Sequence, residues 1–390
     1  MILYDLVALQ PQGDVLKHGG GSYAKSIFYR LLERNISFAV FYNSCLDLDA
    51  DIKNKLKQYA IQAYDLSQLS LADIVAMNPN AVIYSILPQQ YMFDVCLTIG
   101  TIHDCRELEL PNDFFEFLYP ISFRRIFVKI YRYIFPVNYN NRIKRIVSRK
   151  WLHKNFIPTT ITNYTKELLI KSFETDKFNS IPIFMTPFFG DNYSLTSNNI
   201  TICKKKKYFL MVSGDRWLKN NLRALIALDQ LFSTDLLREY KVIITGVKTL
   251  NIFKYRFKNV HHFETLGYVS DEKLEQLYRD AYCFVFPSLN EGFGIPPLES
   301  MRFGTPVLAS CSSAIPEVCG NSVLLFNPYS ISDIRNRIKE LVVDSNLYKD
   351  MQLNGQKHYL KMKSKALSDI DNYINYVLEY EAAIKKENIR

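Results

Sequence analysis

Residues 282–299 read YCFVFPSLNEGFGIPPLE, an apolar run that leads into a glycine-containing turn and then into prolines. The run predicts a strand that ends at Phe286, and the prolines predict a helix that begins near Pro297. Gly292 and Gly294 have no Cβ, so backbone N–H groups can approach a ligand there, beside the positive end of the helix. Because ligands of open α/β sheets bind beyond the carboxyl ends of strands, this stretch predicts an α/β fold with a diphosphate-sized site here.

The same alternation of apolar runs and helical patterns extends along the whole chain, as in βα units around a mainly parallel sheet. The predicted strands cover residues 2–9, 36–42, 81–86, 97–102, 159–162, 208–213, 241–245, 262–266, 282–286, 306–310 and 322–326. Ser270 is a predicted N-cap for the helix that precedes the strand 282–286.

A chain of 390 residues exceeds the usual size of one hydrophobic core, and this length predicts two domains. Proline, glycine and asparagine cluster between residues 187 and 207, which predicts a domain junction there. We therefore predict an N-terminal domain over residues 1–195 and a C-terminal domain over residues 205–365. The pattern of a charged helix at about 366–390 leaves open which domain it packs on, the first included.

The composition, with 48% hydrophobic and 22% charged residues, is typical of a globular protein and not of a disordered or fibrous one. No stretch approaches the roughly 18 apolar residues that span a bilayer, and residues 1–9 contain no basic leader. We therefore expect a cytoplasmic location. The seven cysteines are scattered without a C-x-x-C pair, which predicts reduced thiols and no zinc site.

The net charge of +9 is concentrated in residues 124–154, which contain ten basic residues and no acidic one. Aromatic and aliphatic side chains are interleaved with these charges. Such a mixture can lie on an anionic membrane surface, with basic groups on the headgroups and aromatic rings at the interface. Nucleic acid would also be attracted to it, and a solvated surface over core aromatics is the third interpretation.

Glu291 and Glu299 are eight residues apart, one in the predicted loop and one in the first turn of the predicted helix. Ionised carboxylates accept charge-assisted hydrogen bonds from hydroxyl-rich ligands, each worth about 1.5–3 kcal/mol. Each residue alone also has an ordinary explanation: Glu299 as an acid near a helix N-terminus, and Glu291 as a solvated loop residue.

Four segments carry a resemblance to a known family. They are Gly267-Tyr268-Val269-Ser270-Asp271, Glu291-Gly292-Phe293-Gly294 with Glu299, Gly304-Thr305-Pro306-Val307 and Ile315-Pro316-Glu317-Val318. In order and spacing, from about residue 266 to 328, they resemble the donor half of glycosyltransferase family four, especially its mannosyltransferase-like members. The resemblance implies the GT-B fold, with two Rossmann-like domains whose parallel sheets face a central cleft. It also implies a retaining enzyme that transfers a hexosyl group from a UDP- or GDP-sugar to a polysaccharide or lipid-linked oligosaccharide.

The resemblance also assigns roles in the donor site. Glu299 is expected to hold the ribose hydroxyls, whereas Glu291 holds the donor sugar. The remaining donor-binding positions that it implies are Gly214, Asn220, Tyr268, Val269, Gly292, Phe293 and Gly294. Lys219 fits the family's basic residue for the pyrophosphate; Arg216 lies three residues before it, which differs from many relatives and leaves a plain surface charge as the alternative.

Two features of the first half resemble acceptor-side elements of the family. Gly20 and Gly21, in a run of three glycines after the first strand, resemble a glycine-rich loop near the diphosphate and acceptor, with a plain turn or hinge as the alternative. His103 with Asp104 ends the strand 97–102 and resembles a His-Asp pair that touches the donor sugar. Without the resemblance, a hydrogen-bonded structural pair would be the simpler interpretation.

No Asp-x-Asp lies at a plausible donor position, because Asp47-Leu48-Asp49 has the pattern of a helix start. We therefore expect no metal and no cofactor beside the nucleotide-sugar donor. The expected partners are that donor, a glycan or lipid-linked acceptor and an anionic membrane at the inner face, but no nucleic acid, since no nucleic-acid-binding motif accompanies the charge. A GT-B epimerase or hydrolase, or a catalytically silent GT-B subunit, remain the alternatives.

Overall fold

The computed structural model describes residues 1–11, 19–120, 123–185 and 205–387. The chain forms two compact units. Unit 1 comprises Met1–Cys105, Arg142–Tyr193 and Ser364–Arg390, and unit 2 comprises Arg106–Asn141 and Ser194–Lys363. The predicted junction at 187–207 falls mostly on residues 186–204, which lie outside the described residues. The sequence-based boundaries place residues 106–141 in the N-terminal domain, whereas their contacts group them with unit 2.

The sheet of unit 1 has six strands: β1 (Ile2–Asp5), β2 (Phe38–Tyr42), β3 (Ala63–Asp65), β4 (Val82–Ser85), β5 (Thr98–Ile102) and β6 (Phe156–Thr160). Their order is β3-β2-β1-β4-β5-β6, and the pairings of β1 with β2 and with β4 are parallel. All four residues of β1 are buried, as expected for a central parallel strand that is covered on both faces.

The sheet of unit 2 repeats this arrangement with β7 (Tyr208–Met211), β8 (Lys241–Thr245), β9 (Phe263–Leu266), β10 (Cys283–Phe286), β11 (Val307–Ser310) and β12 (Leu324–Phe326). The order is β12-β11-β10-β7-β8-β9. In both sheets the chain builds outward from the first strand to one side and then returns to build the other side. This doubly wound order places a crevice where the direction reverses, which in unit 2 is between β7 and β10.

The helices of the described residues are α1 (Gly19–Glu33), α2 (Ala50–Gln58), α3 (Leu71–Met77), α4 (Gln90–Phe93), α5 (Phe123–Ile134), α6 (Pro136–Trp151), α7 (Asn163–Ser172), α8 (Asn221–Phe232), α9 (Asp271–Asp280), α10 (Ile295–Arg302), α11 (Ile315–Cys319), α12 (Ile331–Val343) and α13 (Ser345–Glu387). Within these described ranges, no helix is both long enough and apolar enough to cross a membrane.

Local capping explains several helix starts. The Ser270 side chain accepts a hydrogen bond from the N–H of Lys273 and caps α9, as its sequence predicts. Asp49 caps α2 in the same way, which confirms that Asp47-Leu48-Asp49 is a helix start. The C-terminal helix begins at Ser345 and is therefore longer than the predicted segment.

The predicted strands all correspond to strands of the structure, but β3 has no predicted counterpart. It is a three-residue edge strand whose Ala63 is exposed, so it carries neither an apolar run nor clear alternation. The prediction of two Rossmann-like parallel sheets is confirmed.

Candidate functional site

Two loops meet at the point of unit 2 where the strand order reverses. One follows β7 and contains Lys219, and the other follows β10 and contains Glu291. The Lys219 ammonium donates a hydrogen bond to Oε1 of Glu291 at 2.6 Å, and the two side chains are only 18% and 12% exposed. The fold therefore brings together a cation and an acid that are 72 residues apart in the sequence.

The carboxylate of Glu291 is fixed on one side. Ser288 Oγ donates to the same Oε1 at 2.5 Å, and the backbone N–H of Glu291 donates to Ser313 Oγ at 2.8 Å. Among the described residues, no hydrogen bond to the second oxygen of this carboxylate is found. Ser313 has a φ of 52°, an uncommon conformation for a residue with a Cβ, which is typical of functional loops. This arrangement leaves one well-oriented acceptor for a ligand hydroxyl.

The Lys219 ammonium lies 5.3 Å from the centre of the Phe286 ring, at the end of β10. It therefore has an aromatic face on one side and a carboxylate on another. An anion that entered the crevice would find this cation already held close to the strand ends. Phosphate groups are among the anions that a lysine ammonium binds.

The turn between Glu291 and α10 depends on Gly294, whose φ of 93° is accessible to glycine and strained for other residues. Gly292 and Phe293 are buried. The helix begins at Ile295, two residues earlier than predicted, with proline in its first turn, where the absence of an N–H costs nothing. The N-terminus of α10 thus lies directly behind the loop.

The sequence predicted Glu299 in the first turn of α10, but the helix begins earlier and Glu299 lies in its second turn. Burial is the main influence on its charge. Burial raises the pKa of Glu299 to about 7. A hydrogen bond with Tyr278 lowers this pKa, the nearby carboxylate of Asp271 raises it, and Arg302 lowers it. Near neutral pH this carboxyl therefore exchanges readily between its protonated form and its ionised form, which accepts hydrogen bonds.

Asn220 has a structural use that the sequence does not reveal. Its amide donates to the carbonyls of Pro287 at 3.0 Å and of Pro328 at 2.8 Å, and its side chain is buried. It therefore fastens the loop after β7 to the loops after β10 and β12. Gly214 also acts through packing, because a Cβ there would lie 2.6 Å from Cδ1 of Ile244.

Arg216 and the Tyr268-Val269 pair lie at the same carboxyl edge of the sheet, in the loops that follow β7 and β9. Arg216 is exposed, and the structure gives its guanidinium no partner within the described ranges. Tyr268 is 82% exposed, whereas Val269 is half-buried. Their surroundings leave these side chains accessible to a ligand but not held in place.

In unit 1, the prediction that Gly20 and Gly21 form a loop is wrong. Both residues belong to the first turn of α1. A Cβ on Gly20 would lie 2.8 Å from Cδ2 of Leu87, so a small residue is required for packing there. His103 follows β5 as predicted, with Nε2 at 2.9 Å from the carbonyl oxygen of Ile86 and its ring edge-on to Tyr23. These residues lie at the carboxyl end of their own sheet.

A groove of about 590 Å³ lies at the opposite, amino-terminal edge of the sheet of unit 2, beside Tyr208 and Lys241. Two ion pairs line it, Lys206 with Asp280 and Lys207 with Glu239. The groove and the loops that carry Lys219 and Glu291 lie at opposite edges of the sheet, so the groove is not the candidate site. Within the described part of the chain, no three His, Cys, Asp or Glu residues are grouped to hold a metal ion.

Sequence reasoning missed Ser288 and Ser313, which orient Glu291. Ser288 lies in the same loop as Glu291, three residues earlier, and this spacing was an available signal. Ser313 follows a different strand, β11, so only the fold shows that it reaches the loop after β10.

The comparisons with known proteins match the part of the chain that contains Lys219, Glu291 and Glu299. Residues 195–358 match the family described as Glycosyl transferases group 1. The serotype-specific mannosyltransferase WbdA of Escherichia coli is 42% identical over 86 residues, which is 22% of this chain and 11% of that protein. The O-antigen chain mannosyltransferase RfbU of Salmonella typhimurium is 27% identical over 248 residues, which is 62% of this chain and 60% of the relative. The matches thus span about a tenth of WbdA and under two thirds of RfbU.

The fold is similar to that of solved glycosyltransferase structures. A solved glycosyltransferase structure from Rickettsia africae ESF-5 matches with a TM-score of 0.62 at 14% identity, and the match covers 97% of this chain and 98% of that one. The motifs and the two doubly wound sheets agree with these matches: residues 195–358 are similar to the group 1 glycosyl transferases, and the chain has the GT-B fold.

Proposed function

We propose that the protein transfers a hexosyl group from a UDP- or GDP-sugar to a polysaccharide or lipid-linked oligosaccharide, with retention of configuration. The observation that carries this proposal is the half-buried pair of Lys219 and Glu291 where the strand order of unit 2 reverses. A nucleoside diphosphate sugar presents two phosphates and a ring of hydroxyls. One cation and one acid with a remaining acceptor oxygen match those two kinds of group.

The chemistry follows from charge. As the glycosidic bond breaks, negative charge develops on the leaving diphosphate, and a fixed cation lowers the barrier where that charge appears. In this proposal Lys219 has that role, and the exposed Arg216 is a second cation. When the phosphates draw Lys219 toward them, Glu291 keeps the hydrogen bond from Ser288 and accepts one from a sugar hydroxyl. The oxygen of the acceptor hydroxyl bonds to the anomeric carbon on the face that the diphosphate leaves, and the leaving phosphate takes the hydroxyl proton, so no protein nucleophile is needed. Lys219 and Arg216 carry the positive charge that a divalent ion would otherwise supply.

The names of the relatives support a narrower donor. WbdA and RfbU are both described as mannosyltransferases, and RfbU is described as acting on the O-antigen chain. We therefore place mannose first among the donor sugars and a surface polysaccharide first among the acceptors.

Contact with a membrane is part of the proposal, together with a cytoplasmic, peripheral location. The side chains of Phe127, Ile134 and Val137 are 60%, 62% and 68% exposed, and they lie in the apolar stretch 127–137 of α5 and α6. Two of the ten basic residues are not available to a membrane, because Lys129 and Arg132 form ion pairs with the buried Glu116. Insertion of apolar side chains therefore contributes more to the proposed membrane binding than the count of basic residues suggests. The side chains of Arg124 and Arg125 lie outside the described ones.

The direct test is product analysis after incubation with GDP-mannose, other GDP-sugars and UDP-sugars, with and without a mannan or lipid-linked acceptor. We expect a glycoside whose anomeric configuration matches that of the donor, and unchanged turnover in EDTA. Free sugar as the sole product indicates a hydrolase, and an epimerised nucleotide sugar indicates an epimerase. Turnover that disappears in EDTA and returns with Mn²⁺ contradicts the metal-independent mechanism.

A further inference from the structure

A segment from the first third of the chain, residues 109–119, packs on the loop that carries Lys219. We refer to it as the clamp segment. Its Asp113 forms a two-pronged ion pair with Arg223 of α8, with Nη2 at 2.6 Å from Oδ1 and Nη1 at 2.8 Å from Oδ2. Both side chains are buried, at 7% and 6% exposure. Trp217 completes the contact by donating its Nε1–H to Asp113 at 3.2 Å.

Arg223 also contacts the loop after β7. Its Nη1 also donates to Oδ1 of Asn220 at 2.9 Å. Asn220 is in the left-handed conformation, with a φ of 55°, and its amide holds the carbonyls of Pro287 and Pro328. Asp113, Arg223 and Asn220 therefore form a continuous chain of buried polar contacts. It ends at the loop after β7, which contains Lys219, and at the loop after β10, which contains Glu291.

The clamp segment also caps α8. The N-cap residue Asn220 makes no side-chain cap, and the first-turn N–H of Leu222 instead donates to the hydroxyl of Tyr119 at 2.9 Å. Tyr119 is 1% exposed and packs edge-on against Phe253. A helix N-terminus needs such an acceptor, and here it comes from a residue 103 positions earlier in the chain.

The clamp segment reaches the second loop directly as well. The amide of Asn290, the residue before Glu291, donates to Glu109 at 3.0 Å. The Arg223 guanidinium lies 3.7 Å from the centre of the Phe115 ring, which leaves little room for it to move. Both members of the Lys219–Glu291 pair are thus next to residues that the clamp segment holds.

A buried ion pair is weak evidence for stability, because desolvation of both charges offsets much of their attraction. Apolar residues of similar volume often replace a buried ion pair with little loss of folding stability. Stability alone is therefore a weak explanation for this pair. We propose that Asp113 and Arg223 are positioning residues, which act through Asn220 to hold Lys219 where the diphosphate of the donor binds. This inference rests on the proposed glycosyl transfer and adds residues that do not touch the substrate.

The test compares Asp113→Asn with Asp229→Asn. Asp229 is also buried and lies on α8, the helix of Arg223, but it accepts the backbone N–H groups of Lys258 and Asn259 at the other end of α8. Both substitutions remove one buried charge and keep the side-chain shape. Both variants should lose thermal stability, and Asp113→Asn should lose more because it leaves the buried charge of Arg223 uncompensated. A loss of about tenfold or more in kcat/KM for the donor, the size of one charge-assisted hydrogen bond, is expected only in Asp113→Asn.

A measurement without ligand separates this inference from the proposed function. The rate at which acetic anhydride modifies the Lys219 amine, measured by mass spectrometry relative to the exposed Lys241 at the opposite edge of the sheet, should rise in Asp113→Asn and stay unchanged in Asp229→Asn. Tyr119→Phe, a milder change, should raise it as well. Equal labelling of Lys219 in all these variants overturns the positioning role. A wild-type protein that binds no UDP- or GDP-sugar overturns the proposed function, while the labelling result still decides the role of Asp113.

Discussion

Glu299 is an acidic residue of the candidate site whose pKa lies near neutrality. Its folded-state pKa of about 7 lies above the ordinary value of 4.5, so the folded protein binds more protons than the unfolded chain between these two pH values. The contribution of Glu299 to the unfolding free energy is therefore present at low pH and is lost as the pH rises toward 7.

This pKa predicts that nucleotide binding releases a proton. If the ribose hydroxyls donate to Glu299, only the ionised carboxylate accepts them, so affinity should rise from pH 6 to pH 8. Calorimetric titrations with UDP- and GDP-sugars, whose diphosphate carries no group that ionises near neutral pH, in two buffers of different ionisation enthalpy, measure the released protons. Glu299→Gln should abolish the release, and Asp271→Asn should shift its midpoint to lower pH. Proton release that persists in Glu299→Gln contradicts this role.

Glu291 should affect turnover more than affinity. Glu291→Gln keeps the shape but removes the charged acceptor for the donor sugar, so turnover should fall by about tenfold or more while the affinity for the free nucleotide changes little. Steady-state kinetics and nucleotide titration measure the two effects. Glu264→Gln, in the charged groove at the other edge of the sheet, is the control. Equal losses of turnover and nucleotide affinity would undercut the role.

The sequence located these charged residues because they lie in short motifs with a resemblance to a family. It could not show that the Asn220 amide is used inside the protein, since that depends on Pro287 and Pro328, which are 67 and 108 residues away. It also could not show that burial places the pKa of Glu299 near neutrality, because burial is a property of the fold.

At the scale of elements, the strands of both sheets were predictable because buried parallel strands are continuous apolar runs. The edge strand β3 and the grouping of residues 106–141 with unit 2 were not. The contacts of Asp113 and Tyr119 with α8 join residues over 100 positions apart, and no local pattern encodes such a pairing.

The exposed apolar stretch of α5 and α6 predicts membrane binding. Replacing Phe127 and Ile134 together by serine should reduce co-sedimentation with anionic vesicles, because apolar area inserted at the interface contributes to binding. Val260→Ser with Val343→Ser removes apolar side chains of similar exposure elsewhere in unit 2 and should have no effect. Neutralising Arg142, Lys144 and Arg145 should weaken binding at low salt. Equal sedimentation of all variants, or none for the wild type, rules out this surface.

At the scale of the whole molecule, the two sheets have the same strand order, and each places a crevice beside its first strand. In unit 2 that crevice carries the Lys219–Glu291 pair, which is the basis of the functional proposal. A ligand that binds only the folded protein stabilises it, by about 2.7 kcal/mol at 100 times its dissociation constant, so the matching nucleotide sugar should be recognisable by its effect on thermal unfolding.

The central claim is that this crevice binds the diphosphate of a nucleotide sugar, and calorimetric titration with GDP and UDP tests it most directly. The wild-type protein should bind at least one of them, and Lys219→Met should weaken that binding by about tenfold or more, the equivalent of one charge-assisted hydrogen bond. Lys241→Met, at the opposite edge of the same sheet, should bind as the wild type does. Equal affinities in all three proteins, or no binding by the wild type, would contradict the claim.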